Sequence, residues 1–467
     1  MDRAAAQEPV RPIEEACYWL ATRRHRPQPR LEGDARADIA IVGAGYTGLW
    51  TALFLKELDP GADIAVIEQG VAAYGASGRN AGMLAETIDH THQLAIRHFG
   101  LEEARLLAHL GRENIEEMFS FMSHRGIDCE LEQTGRLLVA LTEGQVEDCR
   151  HTVEAAERLG VTDYRILSAC EARSELDSPL YLGGVMVPSG GILNPAALVD
   201  GLLRAAVSEG VRVFERSRVT RIDQTRDGLV LRTGVGALRA RKTILAMSAY
   251  THHLLPGVLR RFIPLYDYIL VSEPLTAGQL ASIGWQHRQG VTDGRTFFNY
   301  YRLTSDNRLV WGTSEATYFG PNRVDEGCDH SEPHYASLRD SFKRHFPALA
   351  EIPFPYAWGG PICSTTRMTP FFGSANRGRI LYVLGFTGHG IGSTRLAGKI
   401  LAHLALEKMH PLLDLSIVRR KPFPYPPEPF RSMAVNAVTA ALRRVDAGHN
   451  PSLLLRILDA AGIGFSS

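Results

Sequence analysis

No apolar run in this sequence approaches the roughly 18 residues that a bilayer-spanning helix needs, so no membrane-spanning segment is expected. Cysteine is scarce. Cys17, Cys129, Cys149, Cys170, Cys328 and Cys363 are scattered through 467 residues with no CxxC pair, which argues against a disulfide framework and against a structural zinc site. Charge of one sign is not in excess: Lys+Arg and Asp+Glu both number 51, which removes any bulk electrostatic reason to bind nucleic acid. Internal repeats and low-complexity tracts are missing too. Met1–Arg30 is charged and punctuated by proline, without the apolar core of a secretory signal. The expectation is a reduced, cytoplasmic protein with no nucleic-acid partner.

What is present is an ordinary globular composition, 45% hydrophobic and 22% charged, which excludes global disorder. The length suits two or three domains, or two built from interleaved segments. Residues 1–36 read as a solvated arm, with a short helix over Glu14–Thr22 that Tyr18 and Trp19 could anchor. Ile39–Val42 has strand character, Leu49–Leu58 helix character, and Asp63–Glu68 strand character again. Helical patterns follow at Leu101–Arg125, Glu143–Leu159 and Asn194–Glu209. From Pro264 to Thr313 the chain turns β-rich and aromatic, and Thr304-Ser305-Asp306-Asn307 forms a hairpin turn between Thr296–Leu303 and Arg308–Thr313. A strand at Ile380–Leu384 leads through a glycine-rich stretch into another helix, and a helical tail covers 421–467.

Gly43-Ala44-Gly45-Tyr46-Thr47-Gly48 is a G-x-G-x-x-G between a strand and a helix, the context in which the motif binds a dinucleotide. Gly43 permits the tight turn, Gly45 lets the backbone approach a pyrophosphate, and Gly48 allows close helix–strand packing. The helix N-terminus offers free N–H groups to phosphates. Glu68, followed by Gln69, ends the second strand, where a carboxylate can accept the ribose hydroxyls of an adenosine and repel a 2′-phosphate. The unit does not by itself choose between NAD and FAD. The loop Gly75-Ala76-Ser77-Gly78-Arg79-Asn80-Ala81-Gly82-Met83 adds small residues, a cation and exposed amides suited to a second approach to the pyrophosphate.

Taken together, the G-x-G-x-x-G, the acid and the A-S-G-R-N-x-G loop resemble the FAD-dependent D-amino-acid oxidase superfamily, nearest its glycine oxidase, sarcosine oxidase and gamma-glutamylputrescine oxidase branches. Gly191–Pro195 with its following helix, Thr243–Pro256, and Gly385–Gly392 resemble further family blocks in the family's order, over about residues 36–410. Tyr266-Asp267-Tyr268, Ser272–Leu275, Tyr300–Leu303, Asp306–Arg308 and the tail Leu458–Phe465 are similar to a bacterial aminophosphonate oxidoreductase subgroup. The resemblance implies an α/β chain with a Rossmann-like FAD-binding domain (37–95, 186–256 and 359–420) interleaved with an α+β substrate domain (96–185 and 257–358). It implies FAD held by Gly43, Ala44, Gly45, Thr47, Gly48, Glu68, Gln69, Ser77, Gly78, Arg79, Asn80, Ala81, Gly82, Met83, Val219, Gly388, His389, Gly390 and Ile391.

The implied chemistry is oxidation of a small amine, amino acid or aminophosphonate at its C–N bond, with hydride transfer to flavin and hydrolysis of the imine. Electrons would pass to oxygen or another acceptor. The alternatives are a dehydrogenase serving a non-oxygen acceptor and a non-catalytic FAD-binding subunit. No side-chain base is required if the amine binds deprotonated, so no triad is expected. His389, between two glycines, is the candidate catalytic donor; a ring that bonds backbone is its structural alternative. Arg302, with Tyr300 on the same strand face, is the candidate clamp for a substrate anion because a guanidinium bonds two oxygens in one plane, and Arg367 is the second candidate. Cys363 lies roughly where sarcosine oxidases tether their flavin, but the surroundings differ, so non-covalent FAD is expected. His90, His92, His252 and His253 lack a carboxylate setting for a metal, and no metal is assigned.

Overall fold

In the computed structural model, which describes residues 11–88, 91–460 and 462–463, the run Ile39–Val42 is the buried end of a longer strand, Gly33–Val42. It pairs in parallel with Ile64–Ile67 on one side and Gly236–Leu245 on the other. Strands of a parallel sheet are covered on both faces and so read as unbroken apolar runs, as Ile64–Ile67 and Ile380–Leu384 do. The sheet has eight strands. Its path runs Phe371–Ala375, Ile380–Leu384, Gly236–Leu245, Gly33–Val42, Ile64–Ile67, Arg212–Phe214, and a hairpin of Arg221–Gln224 and Leu229–Arg232 branches from Gly236–Leu245.

Alternate residues of these strands serve different cores. Ile39, Ile41, Ile64 and Val66 pack under the helices Tyr46–Leu58, Pro195–Ser208 and Gly390–Leu406. Ala40, Val42, Ala65 and Ile67 face a second core with Tyr266, Tyr268, Tyr301 and Trp311. Helices Tyr46–Leu58 and Gly390–Leu406 touch backbone to backbone at Gly398, where a Cβ would stand 2.8 Å from the Thr51 nitrogen. Asn194 caps Pro195–Ser208 by accepting the Ala197 N–H, as an N-cap asparagine does.

The second sheet also has eight strands, in the order Tyr356–Ser364, Ile263–Pro274, Arg308–Tyr318, Asn299–Leu303, Gly290–Asp293, Arg136–Ala140, Gly183–Val187, Arg165–Ser168. It is antiparallel apart from the Gly290–Asp293/Arg136–Ala140 pair. The hairpin between Asn299–Leu303 and Arg308–Tyr318 closes where expected, with the Thr304 N–H bonded to the Arg308 carbonyl and Asn307 at φ 63°.

Three expectations change. Tyr356–Ser364 pairs with Ile263–Pro274, so the chain is still in the second sheet at 359, where the sequence reading returned it to the cofactor domain. Helix Leu101–His124 packs on Gly390–Leu406 and places Leu107, Ile115 and Met118 in the core beneath the first sheet, not in the substrate domain. The third concerns the arm. Arg24, Arg26 and Arg30 are solvated as expected, but Ile13–Ala16 and Tyr18–Ala21 are docked helices with Trp19 wholly buried. Here burial of the aromatic anchors outweighs the solvation of the flanking charges. Met1–Val10, His90 and Phe465 lie outside the described residues.

The tail forms helices Phe430–Asp446 and Leu453–Ala460. Among the described residues no helix is long and apolar enough to cross a membrane.

Candidate functional site

A cavity of about 700 Å³ runs between the two sheets from Glu68 to the tail helices. Its first stretch is built by the glycine motif. Gly43 sits at φ 108°, and a Cβ there would meet the Ala246 carbonyl oxygen at 2.5 Å. A Cβ on Gly45 would press on Ser77 Oγ at 2.7 Å, so both approaches to this end of the cavity need the missing side chain. Gly48 is tighter still, its Cβ position 2.0 Å from the Gly43 carbonyl oxygen. The glycine therefore serves helix–strand packing, as its place in the motif requires. Glu68 accepts the Ala44 N–H at 2.9 Å and the Gly70 N–H at 3.0 Å. Burial pushes its pKa up, against those two bonds.

The expected cofactor residues divide into two groups. Gly43, Gly45, Thr47, Glu68, Gln69, Val219, Ser77, Arg79, Asn80, Ala81 and Met83 line the cavity. Gly388, His389, Gly390 and Ile391 close it at the N-terminus of helix Gly390–Leu406. Ala44, Gly48, Gly78 and Gly82 stand behind this surface and shape its backbone. A Cβ on Gly78 would meet the Ala73 carbonyl at 2.1 Å, and one on Gly82, at φ 73°, the Leu193 carbonyl at 2.0 Å. Arg79 is less free than its place in the loop suggested. Its guanidinium pairs with Asp329 at 2.9 Å and its Nε donates to the Tyr74 carbonyl, which ties the loop to the second sheet's layer.

The sequence profile of the DAO family, described as FAD dependent oxidoreductase, matches residues 38–404. The chain belongs to this family of FAD-dependent oxidoreductases. It is 31% identical over 388 residues to gamma-glutamylputrescine oxidoreductase of Escherichia coli strain K12, covering 83% of this chain and 88% of the relative. A Haemophilus influenzae protein named probable oxidoreductase OrdL is 29% identical, with 86% and 89% covered. Glycine oxidase from Geobacillus kaustophilus superposes with a TM-score of 0.66 at 23% identity, over 83% of this chain and 99% of that one. FAD is the cofactor of this family member, and the glycine cradle, the buried acid and a cavity long enough to continue past them fit a dinucleotide.

Two expected anion clamps are turned away from the cavity. Arg302 is buried, with Nε donating to the Ala81 carbonyl at 2.7 Å, Nη2 to the Leu193 carbonyl at 2.8 Å and Nη1 to the Leu303 carbonyl at 3.2 Å. It braces the cofactor loop from behind. Strand alternation put it on the correct face, but the loop Ala81–Gly82 covers it there. Arg367 is likewise satisfied internally, by Thr369 Oγ1 and the carbonyls of Pro370 and Arg420. Tyr300 does line the cavity.

Arg136, a cation that lines the cavity, carries no motif in the sequence. It opens the strand Arg136–Ala140, near enough to His389 for its charge to act on that ring. Among the described residues no carboxylate pairs with it, and its Nε is buried without a hydrogen-bond partner. Glu86, the nearby acid, is engaged by Tyr164 at 2.6 Å and Arg112 at 3.2 Å. His389 lines the cavity with Nδ1 3.4 Å from the Thr387 carbonyl. Burial, reinforced by the Arg136 charge, pulls its pKa down to about 4, so its ring is neutral at pH 7.

Cys363 also lines the cavity, and burial pushes its thiol up to about 12, far from the thiolate that covalent attachment needs. His92 lies 3.2 Å from the Tyr164 hydroxyl, and the His252 and His253 rings lie tilted 4.2 Å apart. Among the described residues no three of His, Cys, Asp or Glu gather as a metal cage.

Proposed function

We propose that the protein oxidises the C–N bond of a small amine that carries an acidic group, an amino acid or an aminophosphonate, to an imine that water hydrolyses. Bound in the cradle, FAD supplies the hydride acceptor. The rest falls to the chain. Arg136 holds the substrate's carboxylate or phosphonate in a two-point grip. Phe298, Tyr300 and Ile269 wall the cavity on the second sheet, while Ala434, Val438 and Leu442 of the tail helix wall its mouth. These apolar walls exclude water from the reacting carbon and hold it in one orientation. His389, neutral, offers a hydrogen bond rather than a charge. Electrons leave to oxygen or another acceptor, and FAD is bound without a covalent link.

The single observation that carries the reading is the unpaired Arg136 guanidinium in a cofactor-sized cavity. The likeness to gamma-glutamylputrescine oxidoreductase supports an amine as the reducing partner. The test is an anaerobic screen of amines, D-amino acids, aminophosphonates and 2-hydroxy acids, followed by flavin absorbance. Bleaching by acid-bearing amines supports the proposal; bleaching by 2-hydroxy acids alone overturns it.

A further inference from the structure

Along strand Ile263–Pro274, one face is an apolar stripe with a single interruption. Ile263, Leu265, Asp267 and Ile269 all line the cavity, and period-two alternation places them on one face. A lone carboxylate in such a stripe is costly unless something compensates it. The Tyr300 hydroxyl donates to Asp267 Oδ2 at 2.7 Å, and among the described residues no Lys, Arg or His pairs with the carboxylate.

The elements around Asp267 present few other titratable groups. Gly360, opposite Asp267 in the neighbouring strand, brings none. The Arg79 side chain passes near Gly360, but its charge is paired with Asp329. Tyr266 and Tyr268 alternate to the opposite face, where Tyr268 stacks on His334. Glu315 of the adjoining strand is paired with Arg443 at 2.8 Å. Arg136 opens a strand four places away in the same sheet, and His389 caps helix Gly390–Leu406.

The neighbours also hold the pair in place. Tyr300 lies across Gly312 in the next strand, where a Cβ would stand 2.1 Å from the ring. Only a glycine there lets the ring lie flat and aim its hydroxyl at Asp267. The arrangement is a negative, positioned, uncompensated group facing a space meant for a ligand.

Resting on the amine reading above, we propose that Asp267, oriented by Tyr300, seats the substrate's amine as an ammonium ion and takes its proton. The N–H bond breaks with its electron pair left on nitrogen, and the proton goes to the Asp267 carboxylate. The ammonium becomes the free amine, the carboxylate becomes the acid, and no electrons change hands. The proton returns to water when product leaves. Burial lifts the Asp267 pKa to about 7, against the Tyr300 bond that lowers it. That places the acceptor near neutrality, where proton transfer in either direction is easy. Arg136 and Asp267 together then select a substrate with an anion and a cation.

The test uses the flavin-loaded full chain and two probes, 5-aminopentanoate and hexanoate, the latter with a methyl in place of the ammonium. Binding is read by perturbation of the flavin spectrum. The wild type should bind 5-aminopentanoate about 10- to 100-fold more tightly than hexanoate, the range for a charge-assisted hydrogen bond. The preference should grow as pH rises through about 7. Asp267→Asn should lose it with hexanoate affinity and flavin content unchanged, and Tyr300→Phe should shift the midpoint. Should Asp267→Asn not fold, the wild-type preference decides alone. No preference for 5-aminopentanoate, or one flat from pH 5.5 to about 8.5, overturns the proposal. A preference that behaves as described in a protein no amine can reduce supports the ammonium seat and refutes the amine-oxidation reading, so the two fail separately.

Discussion

The guanidinium carbon of Arg302 lies 4.7 Å from the centre of the Trp19 ring. This contact fastens the N-terminal helices to the underside of the cofactor loop, because the same guanidinium bonds the Ala81 and Leu193 carbonyls. Arg302→Met should therefore destabilise the protein by about 1–3 kcal/mol, the cost of leaving buried carbonyls without a donor. It should loosen FAD and lower activity equally on every substrate. Thermal unfolding and flavin content check it; a defect confined to acidic substrates would restore Arg302 as their clamp.

Anion recognition is assigned instead to Arg136. Arg136→Ala should lose about 2–4 kcal/mol of transition-state binding on an acid-bearing amine, roughly 30- to 1000-fold in kcat/KM. A neutral amine of the same length should be almost unaffected, and the melting temperature unchanged. Steady-state kinetics on the matched pair decide this.

The purified protein should be yellow with one FAD per chain. Gly45→Val should abolish that colour while leaving the fold, since even its Cβ would crowd Ser77 Oγ at 2.7 Å. Gly48→Ala should instead lower stability, because its Cβ would stand 2.0 Å from a backbone oxygen that cannot swing away. From the wild type, heat or acid should release the flavin into the supernatant. Fluorescence retained on the denatured chain would mean that Cys363 had reacted.

His25 bridges Asp200 and Glu215, each at 2.9 Å. Burial lowers its pKa, but hydrogen bonds to the two acids outweigh that and lift it to about 9 from 6.5. A histidine raised on folding stabilises fully below its unfolded pKa, and the contribution fades as pH rises through the folded one. The melting temperature should thus fall between about pH 6.5 and 9. In His25→Gln this slope should be shallower; identical slopes would remove the bridge as its cause.

How far the sequence carried depended on how local the cause was. Gly43, Gly45, Gly48 and Glu68 were legible because one turn and one strand end dictate them. The hairpin turn at Thr304–Asn307 was legible for the same reason. Arg302 was misassigned because alternation specifies a face but not what covers it, and here the covering element is a loop more than 200 residues away. Arg136 carries no motif: a strand-opening arginine differs from any other only by having no partner, which is a property of the folded chain. Asp267 left a trace, a single acid alternating with Ile263, Leu265 and Ile269, but it was read for resemblance rather than for the face it interrupts. In the arm the anchors Tyr18 and Trp19 were legible, but what they dock against lies far along the chain, Arg302 against Trp19 and Tyr356 against Tyr18, so the depth of their burial was not.

The cofactor cradle joins Gly43–Gly48 to Gly388–Ile391, and this has a consequence for synthesis. On the ribosome the first half of the cradle emerges early but cannot be completed until Gly388–Ile391, more than 300 residues later, has been made. Its central strand Gly33–Val42 pairs early with Ile64–Ile67 but waits some 200 residues for its second partner, Gly236–Leu245. Contacts this distant in sequence form slowly, and the unpaired strand edges left in the interval are prone to aggregation. The tail helices that line the cavity are made after both halves of the cradle, so the nascent chain passes through a stage in which the cradle is complete and this part of its lining is missing. That interval is when FAD can enter most freely. Yield of intact flavoprotein should therefore depend on flavin supply during translation more than on flavin added afterwards.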